Sequence, residues 1–323
     1  MAHQIHRMAF VGEVPWHGLG SPLPQNATYE EIIEAAGFYT VLERPVFVPG
    51  KLDAIPDVKA LVRADTHDVL AVVGSRYEVV QAADVAKTLV EAASGVKAIF
   101  HTAGTLGPTG SRFWLLGELP EPIRVRGDAS LIRRYLLGTS AHDGSSPVTI
   151  LNAATRVACA NTLGTALGEK TKARWNIRYT RSAPERLQGA ARCFKELVEG
   201  YRQFEDLANV LATTRFTDAQ LARAVDQVLP VPQDDRDHKR LEANRGKVIE
   251  LFEAGRGMSG IRCTGWAAFQ AFTEFADHHR PLRGGDGQPA AARLESIWLG
   301  GAADLKKRAL VAVADEARIP LAA

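Results

Sequence analysis

The pattern of apolar residues changes near residue 182, and this change limits the possible folds more than any other sequence feature. Before it, short apolar runs are separated by Gly, Pro and Asp, as in strands joined by turns. After it, apolar residues recur with the spacing of amphipathic helices. We therefore predict an α+β fold, with an antiparallel strand meander and helices in the N-terminal half and a helical C-terminal half. The predicted domains are residues 1–181 and 182–323.

Several local patterns predict individual elements. Residues 59–63 and 69–73 flank the polar run 64–68 and predict a hairpin. Residues 45–49 form a short extended run bounded by prolines, and residues 155–167 predict a helix. Ser182 with Glu185, and Thr217 with Gln220, have the spacing of capping boxes and predict two helix starts.

Composition excludes several classes of protein. The chain contains no run of about 18 apolar residues, so no membrane span is predicted. The N-terminus lacks the pattern of a signal peptide. The three cysteines, Cys159, Cys193 and Cys263, are far apart and suit neither a disulfide framework nor a zinc ribbon. We expect a cytoplasmic protein without a membrane anchor. No phosphate-binding glycine motif and no convincing metal-ligand spacing occurs, so we expect no cofactor and no metal.

Positive charge is concentrated in residues 122–192. This segment holds twelve Lys or Arg and four Asp or Glu, whereas the whole chain has a net charge of only +2. Such an asymmetry favours a surface that faces a polyanion. The alternative is a solvated basic face with no ligand.

The polar segment 136–163 is the predicted functional centre. His142, Asp143 and Ser145 resemble a catalytic triad, but neighbours in sequence point in different directions, and triads are assembled from separated segments. An Asp-Gly turn flanked by hydroxyls offers donors that suit a phosphate, although a plain hairpin turn explains it equally well. Arg156 either holds a phosphate or pairs with Asp143. Cys159 is either a buried structural thiol or a nucleophile served by His142.

Aromatic residues lie among the arginines of the basic segment. Tyr135 and Trp175 are candidates for stacking on bases, beside arginines that hold phosphates. The alternative is that these rings belong to the core.

Four blocks in a fixed order resemble the phage/plasmid-like protein family of unknown function. They are VPWHGLG at 14–20, SRYEVVQ at 75–81, TSAHDGSS at 139–146 and RVACANTL at 156–163. WNIRYT at 175–180 is similar to that family's next block, which usually has His where this chain has Tyr179. The resemblance implies a role in DNA replication or recombination. The meander with a helix is also similar to single-strand annealing proteins of Rad type, which implies a ring or filament of identical subunits.

The leading hypothesis is a DNA-binding protein that binds or anneals single strands without hydrolytic chemistry. The residues expected to contact nucleic acid are Arg133, Arg134, Tyr135, His142, Ser145, Arg156, Asn161, Lys172, Arg174, Trp175 and Arg178. One alternative is an enzyme that acts on a nucleotide-like substrate through Cys159 and His142. Another is an interaction protein, such as a host-takeover or anti-defence factor, whose helical half docks a partner.

Overall fold

The chain has an α+β fold made of eleven described strands and seven described α-helices. The structure is a computed structural model, which describes residues 5–12, 20–156, 159–161, 174–231, 238–281, 296–297 and 300–321. Two compact units are present, each built from three segments. Unit 1 comprises Met1–Pro120, Leu136–Leu151 and Arg174–Lys195, and unit 2 comprises Glu121–Tyr135, Asn152–Ala173 and Glu196–Ala323. The predicted domain boundary at 181/182 stays a prediction.

The strands form two sheets. The larger sheet has the order β10-β9-β8-β7-β6-β1-β2, with β11 also pairing with β9, and the smaller has the order β3-β4-β5. Consecutive strands from β6 to β10 are neighbours, as in a meander. Their bounds are β1 Ile5–Val11, β2 Ser21–Leu23, β3 Val41–Arg44, β4 Val58–Arg63, β5 Val69–Gly74, β6 Ile99–Leu106, β7 Arg112–Ile123, β8 Ile132–Ala141, β9 Val148–Arg156, β10 Cys159–Asn161 and β11 Arg174–Ile177.

Helices dominate the C-terminal half. The α-helices are α1 Tyr29–Ala35, α2 Ala82–Ser94, α3 Ala183–Thr213, α4 Asp218–Val228, α5 His238–Ala254, α6 Gly265–Glu274 and α7 Gly301–Glu316. A π-helical turn, Phe275–His279, follows α6 directly. No helix in the described ranges is both long enough and apolar enough to span a bilayer.

Local chemistry explains where several elements begin. The predicted hairpin is present, because β4 and β5 pair antiparallel around the loop 64–68. The predicted capping box at Thr217 and Gln220 is confirmed, and α4 begins at the next residue, Asp218. The helix α3 begins directly after Ser182, as predicted.

The helix predicted at residues 155–167 is wrong over its described part. Residues up to Arg156 continue β9, and β10 returns antiparallel to it, with Cys159 opposite Arg156. Nearly every residue of β9 is buried, so the apolar run lacks the alternation of a strand with one solvated face. Without that alternation, sequence periodicity does not distinguish a buried strand from a helix.

Each unit has its own apolar core. In unit 2, every residue of α6 is buried, including the large side chains of Trp266 and Phe272. Trp266 packs edge-on against Phe204 of α3. In unit 1, Phe113 and Trp114 of β7 are buried, and the Trp114 ring lies over Gly104 of the paired strand β6.

Candidate nucleic-acid interface

Three of the sequence blocks meet in unit 1, in a group of side chains that we call the motif cluster: Tyr77, Ser140, His142 and Tyr179. Ser140 Oγ and Tyr179 Oη share a hydrogen bond, and the rings of Tyr77 and Tyr179 stack with their centroids 4.7 Å apart. His142 Nε2 donates to the carbonyl oxygen of Val80 at 3.1 Å. The cluster therefore ties the segment 75–81 to β8 and to the residues that follow β11.

His142 is an interior member of this cluster. Its side chain is 2% exposed and its ring packs against Phe113 and Tyr39. Burial lowers the pKa of His142 to about 4, because the loss of solvation outweighs the hydrogen bond to Val80 and the charge of Asp143. The imidazole is therefore neutral at pH 7. His142 was predicted to contact nucleic acid, and its burial corrects that assignment to a structural role.

The Asp-Gly turn after β8 is present, but the carboxylate of Asp143 itself accepts the hydrogen bonds that the turn offers. Gly144 has a φ of +76°, and Asp143 accepts from the Ser145 amide at 2.9 Å and from Ser111 Oγ at 3.2 Å. Arg112 Nε lies 3.4 Å from the same carboxylate. Burial raises the pKa of Asp143, but the bonds from Ser145 and the charge of Arg112 outweigh it, so the net pKa is lowered.

Two consequences follow for chemistry at this turn. The donors expected to hold a phosphate already bond to a negative group, and Ser145 accepts through its hydroxyl from Arg112 Nη2 at 3.3 Å. Ser145 itself stays exposed. Asp143 bonds to Ser111 and Ser145, and among the described residues no hydrogen bond joins it to His142.

Exposed arginines lie beside residues of the motif cluster in sequence and at the start of α3. We call them the arginine edge, and they are Arg76, Arg178, Arg181 and Arg186. The Glu78 amide donates to the Tyr179 carbonyl at 3.3 Å, which holds the segment bearing Arg76 next to the segment bearing Arg178 and Arg181. Glu78 and Glu185 are also exposed here, so the positive charges exceed the negative ones by two. Within the described ranges, no ion pair engages Arg76, Arg178 or Arg181.

Continued strand-like alternation after β11 explains why Arg178 faces water. Ile177 and Tyr179 are buried, whereas Asn176, which precedes Ile177, and Arg178, which lies between the two, are exposed. Trp175 is half-buried, and Gly189 of α3 lies close to its ring. Trp175 therefore combines packing against the fold with a partly accessible indole.

Arg156 is not a surface group, which corrects its predicted contact with phosphate. In unit 2 its Nε and Nη2 donate to the two carboxylate oxygens of Asp128 at 2.6 and 3.0 Å, and not to Asp143. Its remaining donors reach the carbonyls of Arg256 at 3.1 Å and Gly257 at 2.8 Å. Trp266 Nε1 also donates to Asp128, at 2.8 Å. All these groups are satisfied internally, so the cluster stabilises the fold.

The other predicted contacts have different environments. Tyr135 is buried, so the structure assigns its ring to the core and corrects its predicted role in stacking. Arg134 is half-buried, pairs with Glu121 at 3.8 Å and lies over the Tyr201 ring. Arg133 is exposed. Lys172 and the side chains of Asn161, Arg174 and Cys159 lie outside the described residues.

Sequence reasoning did not select Arg76, Arg181 or Arg186 as contacts. Arg76 belongs to the SRYEVVQ block, and Arg181 and Arg186 belong to the basic segment, so both signals were present. Which arginines are exposed depends on the pairing between the two segments, which no local pattern encodes. Among the described residues, no three His, Cys, Asp or Glu side chains form a group that could hold a metal ion.

Comparison with known proteins identifies a family for this chain but no activity. Residues 69–298 match the family model described as "Domain of unknown function (DUF932)". The matched range contains both the motif cluster and the arginine edge. No curated protein and no solved structure matches the chain.

Proposed function

The chain belongs to the DUF932 family, and we propose that it binds single-stranded DNA through the arginine edge, in recombination or replication of phage or plasmid DNA. The observation that carries the proposal is that Arg76, Arg178 and Arg181 are exposed, have no carboxylate partner among the described residues, and lie on two segments of unit 1 that are hydrogen-bonded to each other. A free guanidinium on a rigid edge binds phosphate with two donors and loses little entropy. Binding and annealing of strands need no further chemistry.

The affinity of such a surface comes mainly from the release of counterions from the phosphates. For single strands, the slope of log K against log salt is about −0.7 for each phosphate neutralised. Arg76, Arg178, Arg181 and Arg186 would thus produce a steep dependence on salt. The exposed carboxylates of Glu78 and Glu185 reduce the field along the edge and limit the affinity for any long polyanion.

Trp175 supplies the second part of the proposal. Trp175 lies on β11, three residues before Arg178, and the accessible part of its half-buried indole could stack on a base of a strand whose phosphates reach the arginine edge. Stacking favours a single strand over a duplex, because the bases of a duplex are already stacked on each other. Annealing would further require self-association, as proposed from the similarity to annealing proteins of Rad type.

The test is a fluorescence-anisotropy titration of a labelled single-stranded oligonucleotide at low and moderate salt. In the double variant R178Q/R181Q we expect the affinity to fall at least about tenfold and the salt slope to shrink by about 1.4. The matched control is R202Q, which removes an arginine that is 75% exposed on α3 and outside the edge. The proposal is wrong if the native chain does not bind at low salt, or if R202Q weakens binding as much as the double variant.

A further inference from the structure

A hairpin between β3 and β4 in unit 1 projects with almost every residue exposed. We call residues 45–56 the arm. Ile55 N donates to Val46 O at 2.7 Å, and Phe47 forms a β-bridge with Ala54. At the tip, Lys51 N donates to Val48 O at 3.0 Å across Pro49 and Gly50, and Gly50 has a φ of +81°. This is the sequence and geometry of a type II turn.

The arm is apolar where a solvated hairpin would be polar. Leu52 is 97% exposed and Phe47 is 52% exposed, and Val48 and Ile55 are also exposed. Pro45, Pro49 and Pro56 restrict the backbone, so the arm is ordered before it meets a partner and loses little entropy on binding. Exposed apolar side chains on a projecting hairpin are typical of a protein–protein contact.

The same sheet carries a surface that suits the arm. β5 is an edge strand, and no described strand pairs with its outer side. Val69 and Val72 of β5 are 61% and 56% exposed. The opposite edge is partly covered, because the Gln81 side chain bonds both the amide and the carbonyl of Val41 on β3, at 2.9 and 3.0 Å. An open edge flanked by exposed valines is a site for β-strand addition.

We propose that the arm of one copy of this chain docks on the β5 edge of a second copy. Donor and acceptor surfaces are both present on one chain, so two copies related by a two-fold axis can exchange arms and satisfy both edges. A two-fold arrangement makes two such contacts and so doubles the area that one arm would bury, toward the roughly 1,600 Å² that stable interfaces bury. The inference rests on the self-association part of the proposed function and is independent of DNA binding.

Sedimentation velocity of the full chain without DNA, over a range of concentrations, tests this interface. We expect the native chain to form dimers or larger assemblies, and both L52D in the arm and V72K on β5 to sediment as monomers. The matched control L131D, at another exposed leucine, should sediment like the native chain. An equimolar mixture of L52D and V72K should recover part of the association. In a mixed dimer, the native arm of V72K can dock on the native β5 edge of L52D.

Circular dichroism checks that each variant is folded, and all three altered side chains are exposed. A native chain that is monomeric at all concentrations, or an assembly unchanged in both L52D and V72K, overturns the inference. Oligonucleotide titration of the same variants distinguishes the two proposals. We expect L52D and V72K to lose self-association and still bind DNA, which supports docking through the arm. We expect R178Q/R181Q to lose affinity for DNA and still self-associate.

Discussion

Arg156 and Asp128 form a two-pronged ion pair in unit 2, and both side chains are fully or almost fully buried. Burial raises the pKa of Asp128, but hydrogen bonds from Arg156, Trp266 and the Ser130 amide outweigh it, so the pKa is lowered overall. The two residues are 28 positions apart in sequence. The Arg156 guanidinium also donates to the Arg256 and Gly257 carbonyls, which holds the loop after α5 in place. Its role is to hold several segments of unit 2 together.

Asp128→Asn should therefore destabilise the protein by about 3–5 kcal/mol, because the change leaves the Arg156 guanidinium buried and without its counter-charge. Urea unfolding monitored by far-UV circular dichroism measures the loss. The control is Glu121→Gln, which removes the exposed carboxylate that pairs with Arg134 and should cost less than about 1 kcal/mol. Equal effects of the two variants would contradict the structural role of Asp128.

The sequence was sufficient for features that depend on local chemistry. The hairpin around 64–68 and the capping box at Thr217 follow from neighbours a few residues apart, and both are present. The α+β class follows from periodicity within each half. These features are predictable because each of them is stabilised largely within one short segment.

The features that the sequence did not reveal depend on distant partners. Arg156 carries a charge that suits phosphate, and nothing near it in sequence identifies Asp128 as its partner. His142 lies in a polar run, yet its ring meets Val80 and Phe113, which come from other segments. Arg76 and Arg178 lie on two separate segments, which are joined by the bond from the Glu78 amide to the Tyr179 carbonyl and by the stacking of Tyr77 on Tyr179. Long-range pairing therefore decided which predicted site residues reach the surface.

His142 should make stability depend on pH. Its folded-state pKa of about 4 lies below the unfolded value of about 6.5, so only the unfolded chain takes up a proton between these values. The stabilisation is complete above about pH 6.5 and decreases as the pH falls toward 4, by about 3 kcal/mol in total. Comparison of urea midpoints at several pH values in the native chain and in His142→Asn should show a flatter profile in the variant.

The control for this pH dependence is His67→Asn. His67 is exposed in the loop between β4 and β5 and has a φ of +63°, a conformation that Asn adopts readily. The variant removes a histidine that lies outside the motif cluster, so it provides the reference profile. If His142→Asn retains the full slope between pH 6.5 and 4, some other group controls the acid sensitivity.

Gly104 should not tolerate a larger residue. A Cβ at this position would lie 2.2 Å from Cη2 of Trp114 and 2.5 Å from the Arg7 carbonyl oxygen, so neighbouring strands would have to separate. We expect Gly104→Ala to cost about 1–3 kcal/mol through overpacking and to alter the near-UV circular dichroism of the tryptophans. Gly117→Ala is the matched control on the paired strand β7, because its nearest neighbour is 3.7 Å away. A native-like spectrum and stability for Gly104→Ala would show that the Trp114 ring can move aside.

Lys306 of α7 and Asp277 of the π-helical turn form a second buried ion pair in unit 2, with Nζ and Oδ1 2.8 Å apart. Asp277→Asn should cost about 3–5 kcal/mol, because the buried ammonium loses the negative charge of the carboxylate it contacts. Replacing both residues with apolar side chains, as Asp277→Leu with Lys306→Met, should cost less than the single change, since no unpaired charge is left. A double-mutant cycle in urea separates the interaction from the effects of the individual residues. The interaction energy should be large, and a value near zero would mean that the pair contributes no more than an exposed one such as Lys247 with Glu250.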